Sequence, residues 1–341
     1  MLRVWTDSIS IMRISNLSRF RRYLLEKIEY WAPDQSSLIS KCAIKLIKVS
    51  SLMGRRESKY LNHILTRLLP ADPLPGGRVH LPTFLICAPK DLAILPYSIQ
   101  SVIRYLSGDE KIWVLVPNSI SKQVFEIIDH LQVKAEIVTD EELLGKFLFG
   151  EKFSLDSPVR MQLLKLLAVL SQSHKEILVV DSDTIFLKQR HWIQDKKIVF
   201  PISQEFLVRH ANFNRIRLDL LSNSGLGYVT HHQVVCKNCL EEIILRVGGL
   251  LQLTYLMQSA YSKFGNWEFE YPSEWQFMGD FIFQSDTHEV VPVRFGNIGI
   301  SRELIKLRVG KWLSGTEILN DIEELSAMQP DIYSISLHSY K

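Results

Sequence analysis

Cysteines are scarce in this sequence, and it contains no long apolar run. Four cysteines occur in 341 residues, at positions 42, 87, 236 and 239. This number is too small for a disulfide scaffold and is typical of a reducing compartment. No apolar stretch reaches the roughly 18 to 20 residues that a membrane-spanning helix needs, and the N-terminus has no secretory signal. We therefore expect a cytoplasmic protein.

An excess of one charge is also missing, except near the N-terminus. The formal net charge is only +3, which does not favour a nucleic-acid partner. Before residue 70, however, 13 Lys and Arg face 5 Asp and Glu, and basic and apolar positions alternate with helical spacing. We predict a basic helical extension over residues 1–75. Two interpretations stay open: peripheral contact with the inner, anionic face of a membrane, or helices that pack on the main domain.

The pattern changes after a stretch rich in helix breakers at residues 69–77. From residue 80 to 341 we predict one domain. Its first half alternates short apolar runs with helical stretches, which predicts an α/β fold with a mostly parallel sheet covered by helices on both faces. The predicted strands are 83–88, 112–117, 135–139 and 177–180, then 198–201, 227–230 and 290–293, and the predicted helices are 91–107, 120–131, 158–173, 233–246 and 249–263.

A C-x-x-C pair lies in the second half, at Cys236 and Cys239. Such a pair is found in redox sites and as half of a zinc site. Because Cys42 and Cys87 do not form a second pair at comparable spacing, the pattern favours a structural role for these cysteines.

Two carboxylates follow one of the apolar strands directly. The segment 177–186 reads ILVVDSDTIF, so that Asp181 and Asp183 flank Ser182 at the strand end. Buried carboxylates need a compensating cation, and Mg²⁺ or Mn²⁺ prefers such oxygen ligands together with substrate phosphates. The pattern therefore predicts a metal site that binds a diphosphate, with an ordinary acidic turn as the alternative.

Several stretches together resemble a known class of proteins. The chain is similar to glycosyltransferases with the GT-A fold, which is Rossmann-like. More narrowly, it resembles a bacterial family of glycosyltransferase-like proteins known mainly as a domain of unknown function. The matching stretches are 83–98, 160–165, 179–188 with VVDSDTIFLK, 229–232 with VTHH, 273–280 with SEWQFMGD, and 334–341 with SISLHSYK. The resemblance implies metal-dependent transfer of a sugar from a nucleotide-sugar donor to a hydroxyl of a glycan or another acceptor.

The resemblance also implies roles for particular residues. Asp181, Ser182 and Asp183 correspond to the D-x-D motif: the two aspartates hold the metal, and all three residues are candidates for contact with the donor. His338 corresponds to a third metal ligand, and Lys341 to a basic residue on the phosphates. The loop after the first strand contributes to the nucleotide pocket, which implies a role for Ala88, Pro89, Lys90 and Asp91.

For the other candidates, a purely structural role is as good an interpretation as a role in the site. One of His231 and His232 is expected at the site, although paired histidines also cap helices. For the helix before the D-x-D strand, the resemblance suggests donor contacts and the alternative is a solvated face; these candidates are Arg160, Gln162 and Lys165. Glu274 is the candidate base that deprotonates the acceptor hydroxyl, or a first-turn residue of a helix capped by Ser273, and Asp280 is the second candidate base.

Two alternative functions remain. A metal-dependent nucleotidyltransferase or phosphotransferase also uses aspartates at strand ends, although the sequence has no G-x-x-x-x-G-K-S/T loop. A non-catalytic module that binds nucleotides or carbohydrates would bind without turnover.

Overall fold

The computed structural model describes most of the chain after residue 76. The described residues are 69, 77–108, 110–148, 155–203, 207–220, 227–264, 270–284, 290–294, 296–302, 308–329 and 332–338. For residues 107, 262–264, 284 and 338 only the backbone is described. The predicted extension of residues 1–75 lies outside this part, apart from the buried Leu69. The division into two regions stays a prediction.

Eleven strands occur in the described residues. In chain order they are β1 (Thr83–Ile86), β2 (Ile112–Val116), β3 (Glu136–Thr139), β4 (Glu176–Asp181), β5 (Thr184–Phe186), β6 (Ile193–Gln194), β7 (Lys197–Ile202), β8 (His232–Cys236), β9 (Val290–Arg294), β10 (Asn297–Ser301) and β11 (Ser334–His338). The central sheet has the order β3-β2-β1-β4-β8. Its first four strands are parallel and β8 is antiparallel to β4. This confirms the predicted mostly parallel sheet.

Helices cover the sheet. They are α1 (Leu95–Val102), α2 (Ser121–Leu131), α3 (Asp140–Leu148), α4 (Ser157–Ser171), α5 (Val208–Arg217), α6 (Lys237–Arg246), α7 (Leu250–Phe264), α8 (Glu274–Gln284) and α9 (Gly315–Met328). α4 contributes a run of buried side chains from Leu163 to Val169, all of them apolar except Lys165. Strands β1, β2 and β4 are almost wholly buried, as expected for parallel strands covered on both faces. No helix in the described ranges combines the length and the hydrophobicity that a membrane span requires.

Two small sheets extend the core. One has the order β10-β11-β5, in which β10 and β11 are parallel and β5 is antiparallel to β11. The other has the order β6-β7-β9. Because β5 follows β4 after a turn of two residues, β11 lies next to the D-x-D segment: the Leu337 N–H donates to the Asp183 carbonyl oxygen at 2.8 Å.

One pair of predicted elements is wrong. The predicted strand at 227–230 is not a strand, because Gly227 forms only an isolated bridge to Ser203. The strand lies instead at His232–Cys236, where β4 provides a paired edge, and the helix predicted from residue 233 begins at Lys237. The Val234-Val235 pair fits a buried strand better than the start of a helix. A backbone partner that is distant in sequence therefore decides this boundary.

Candidate active site

The D-x-D segment lies at the carboxyl end of β4, in the middle of the central sheet. Asp181 pairs with Ile86 at the end of β1. The N–H of Ser182 donates to the Ile86 carbonyl at 3.0 Å, and Asp183 accepts from Leu337 of β11. Ligands of parallel sheets bind at the carboxyl ends of the strands. The turn is thus held by hydrogen bonds to β1 and to β11, at the edge of the sheet where ligands of such folds bind.

Asp181, Asp183 and His231 form a cluster with one ligand atom from each within 4.8 Å of the others. In the part of the chain that the structure describes, no other His, Cys, Asp and Glu side chains form such a group of three. His231 Nδ1 lies 3.3 Å from Asp181 Oδ2, and the His231 carbonyl accepts from the Asp181 N–H at 2.8 Å. Two carboxylates and an imidazole are a suitable donor set for Mn²⁺ and an acceptable one for Mg²⁺.

His231 owes its position to an unusual backbone conformation. It has a φ of +58°, in the left-handed region, directly before β8 begins. Such a conformation costs a non-glycine residue about 1 kcal/mol or more and persists where surrounding contacts enforce it. The next residue, His232, points into the core, where its ring packs edge-on against Phe186 and Trp192 and burial lowers its pKa. Of the two candidate histidines, His231 is the one at the cluster.

The charges at the cluster are strongly coupled. Burial alone would raise the pKa of Asp181, but Lys165 and His231 outweigh it and hold this pKa far below its usual value. Burial and then the charge of Asp181 raise the pKa of Asp183 to about 6. Burial would lower the pKa of His231, yet the hydrogen bond to Asp181 raises it. The neighbouring carboxylates therefore resist simultaneous ionisation, and a cation would relieve this repulsion.

Lys165 is a buried ammonium between two carboxylates. Its Nζ lies 2.6 Å from Asp181 Oδ1 and 2.6 Å from Glu274 Oε1. It also lies 4.6 Å from the ring centroid of Trp275. Burial would lower the pKa of Lys165, but Asp181 and Glu274 raise it above its ordinary value. Lys165 therefore stays charged and joins α4, β4 and α8 at one point.

Glu274 is both the first residue of α8 and a member of the site. The Ser273 hydroxyl accepts from the Gln276 N–H at 3.4 Å, which confirms the predicted cap. The side chain of Glu274 is nevertheless buried and aimed at Lys165. Asp280, the second candidate base, is also buried but accepts from Asn214 at 2.7 Å and from Gln276 at 3.4 Å. Glu274 shares its partner Lys165 with Asp181 of the cluster.

The loop after β1 forms a 3₁₀ turn over Pro89–Asp91, with Ala88 before it. Lys90 is exposed, and its charge acts to lower the pKa of Asp183. Asp91 is buried in an ion pair with Arg302. Arg302 also donates to the carbonyl oxygens of Lys90 at 2.7 Å and Leu337 at 2.9 Å. It thereby fastens the loop to β11, beside the D-x-D segment; no local sequence pattern pointed to this residue.

The remaining candidates have different surroundings. Arg160 forms an ion pair with Asp140 at 2.6 Å. The Oε1 atom of Gln162 is buried and has no hydrogen-bond partner in the described structure. Ser182 is buried in the turn itself. Their roles in donor binding stay predictions.

The C-terminal candidates are only partly within the described residues. The backbone of His338 pairs with Ser301 in the sheet of β10 and β11, and its side chain is outside the described part. Lys341 lies outside the described residues. Both assignments stay predictions.

No family model matches the chain, and no curated protein matches it. Solved structures with partial similarity include the apo structure of the bifunctional glycosyltransferase WbbM, at 9% identity and a TM-score of 0.43 over 79% of this chain and 48% of that one. Mouse xyloside xylosyltransferase 1, also apo, gives 12% identity and a TM-score of 0.39 over 65% and 88%. The glycosyltransferase GlyE of Streptococcus pneumoniae TIGR4 gives 12% and 0.34 over 62% and 45%. The chain spans about half the length of the WbbM chain it matches. At these TM-scores the similarities carry no conclusion about function.

Proposed function

We propose that this protein is a metal-dependent glycosyltransferase that moves a sugar from a nucleotide-sugar donor to a hydroxyl of a glycan or another acceptor. The observation that carries the proposal is the cluster of Asp181, Asp183 and His231 at the end of β4, joined through Lys165 to the buried carboxylate of Glu274. Sugar transfer from a diphosphate donor requires a cation for the leaving group and a base for the acceptor hydroxyl, and the two ends of this site would supply them.

The metal-binding end accounts for the leaving group. Asp181, Asp183 and His231 would hold Mn²⁺ or Mg²⁺, which supplies positive charge to the departing nucleoside diphosphate. Lys90 is exposed near Asp183, in a position suited to the same phosphates. His338 follows Leu337, whose backbone N–H is hydrogen-bonded to the Asp183 carbonyl oxygen, and it would be a further metal ligand. Lys341 would contact the diphosphate.

The other end of the site, with the Glu274 carboxylate, accounts for activation of the acceptor hydroxyl. Glu274 Oε is the proton acceptor for the attacking hydroxyl in a reaction that inverts configuration. Lys165 supplies the counter-charge that a buried carboxylate needs, and its second contact with Asp181 fixes Glu274 relative to the metal ligands. Trp275, next to Glu274 and against Lys165, limits the mobility of the ammonium.

The test is nucleotide release from UDP-, GDP-, CMP- and dTDP-sugars in the presence of Mn²⁺ or Mg²⁺. Purified protein is compared with Asp181→Ala, Asp183→Ala and a control, Asp129→Ala, which removes an exposed carboxylate on α2. We expect release of the nucleoside diphosphate that is lost in the two site variants and kept in the control.

Two other results would replace the proposal. Pyrophosphate release from nucleoside triphosphates with sugar phosphates would identify a nucleotidyltransferase. Metal-dependent binding of nucleotide sugars in calorimetry, without turnover on any acceptor, would identify a binding module.

A further inference from the structure

The C-x-x-C pair lies at the junction of β8 and α6, away from the cluster at the start of β8. Cys236 is the last residue of β8 and the N-cap residue of α6, and Cys239 lies in the first turn of α6. β8 is an edge strand of the central sheet. Cys236 is half-buried, whereas Cys239 is fully buried. Cys236 is therefore partly accessible to solvent, whereas Cys239 is not.

The two thiols are in contact and are not disulfide-bonded. The Cys239 thiol donates a hydrogen bond to the Cys236 sulfur. A thiol donor of this kind, in a C-x-x-C pair at the positive end of a ten-residue helix, stabilises a thiolate. These influences lower the pKa of Cys236 to about 7, against burial and the opposing charge of Glu176 on β4. The pKa of Cys239 is raised by the same hydrogen bond and by burial.

Two charged residues lie near Cys236, and neither replaces Cys239 as its hydrogen-bond partner. Lys237 directs its ammonium to the Gln172 carbonyl at 2.6 Å and towards Glu241 at 4.0 Å. Glu176 is the residue paired with Cys236 across the β4-β8 ladder. No His, Cys, Asp or Glu in the described ranges completes a group of three with the two cysteines, which argues against a zinc site.

Cys87 provides an internal contrast. It is fully buried, and burial raises its pKa to about 12. Its thiol donates a hydrogen bond to the Ala88 carbonyl oxygen at 3.5 Å, in the loop after β1. A reagent that requires a thiolate will distinguish Cys236 from Cys87 in the same molecule.

We propose that Cys236 and Cys239 form a thiol–disulfide exchange site whose reactant is a low-molecular-weight disulfide. The Cys236 thiolate attacks one sulfur of the disulfide, and the other sulfur leaves as a thiolate that takes up a proton. The Cys239 thiol then loses its proton, and its sulfur attacks Cys236, which expels the second small thiol. Two protein thiols are oxidised to one disulfide while one small disulfide is reduced to two thiols.

The test uses the reduced full-length protein, oxidised glutathione and EDTA, followed by alkylation of the remaining thiols, trypsin digestion and mass spectrometry. Trypsin cleaves after Lys237, so that the disulfide joins peptides 218–237 and 238–246. We expect this linked species in the wild type, and in Cys239→Ser a glutathione adduct trapped on Cys236. In Cys236→Ser neither product should form.

A second measurement compares the alkylation rates of the thiols. Iodoacetamide at neutral pH should alkylate Cys236 at least tenfold faster than Cys87, and Cys239→Ser should slow this reaction because the serine hydroxyl replaces the thiol donor. Absence of the adduct in Cys239→Ser, or equal alkylation of Cys236 and Cys87, would overturn the proposal. Neither result bears on sugar transfer, because both cysteines lie outside the proposed site.

Discussion

Lys165 Nζ and Glu274 Oε1 lie 2.6 Å apart although 109 positions separate the two residues in the sequence. The same nitrogen lies 2.6 Å from Asp181. One ammonium thus compensates two carboxylates, the partly buried Asp181 at the predicted metal site and the buried Glu274 at the predicted base. Several consequences of this arrangement can be measured.

Lys165→Met should destabilise the protein by about 3–5 kcal/mol, since it leaves the buried Glu274 and the partly buried Asp181 without this cation. Chemical denaturation at neutral pH measures this loss. Lys111→Met, which removes an exposed partner of Glu136, is the control and should cost less than about 1 kcal/mol. Mn²⁺ should stabilise Lys165→Met more than the wild type, because the metal replaces the missing charge at Asp181. Equal stabilisation would contradict this account.

His231→Gln should weaken Mn²⁺ binding by at least about tenfold, since it removes the imidazole and its hydrogen bond to Asp181. Calorimetric titration with Mn²⁺ measures the affinity. His130→Gln is the matched control, because this ring contacts the Leu313 carbonyl and the Trp312 ring and belongs to no part of the cluster. If both variants bind Mn²⁺ like the wild type, His231 is not a ligand.

Glu274→Gln should lower kcat by about a hundredfold or more, as expected when a general base is removed. Its KM for the donor should change little, since Lys165 retains its contact with Asp181. Steady-state kinetics with the donor identified in the nucleotide-release panel separates the two parameters. Asp280→Asn tests the rival base, and a larger kcat effect there would exchange the two assignments.

His210 should make stability fall in mildly acidic solution. Burial lowers its pKa from 6.5 to about 4, and its Nδ1 donates to the Tyr271 carbonyl at 2.8 Å. Because the unfolded chain takes up a proton below pH 6.5 and the folded protein does so only near pH 4, stability is lost as the pH falls through this window. The loss at pH 5 is roughly 2 kcal/mol.

Urea unfolding at pH 7 and pH 5 measures this effect. The difference between the two pH values should shrink in His210→Gln by about the same amount. An unchanged difference would show that His210 does not carry it.

Gly279→Ala should destabilise α8 by about 1–3 kcal/mol or more, because its Cβ would lie 2.2 Å from Cγ of Tyr228. Tyr228 is fully buried between Phe200 and Phe283 and has little room to move. Gly145→Ala on α3 meets nothing within 4 Å and should stabilise by about 0.5–1 kcal/mol. Thermal unfolding of both variants should give shifts of opposite sign.

The central sheet was predictable because its signals are local. The apolar runs of β1, β2 and β4 are separated by segments of helical periodicity. This alternation is sufficient to predict parallel strands with helices on both faces. The boundary at β8 was wrong because a strand needs a partner, and β4 is distant in sequence. The choice between His231 and His232 likewise required the left-handed turn before β8.

The sequence by itself determined the α/β class and the position of Asp181 and Asp183 at a strand end, since both follow from patterns within a few neighbouring residues. Only the tertiary structure decided which groups face them. Lys165 and Glu274 are 109 positions apart, and Asp91 and Arg302 are 211 positions apart. Buried charges require compensation at a distance of a few ångströms, and chain folding alone determines which residues come that close.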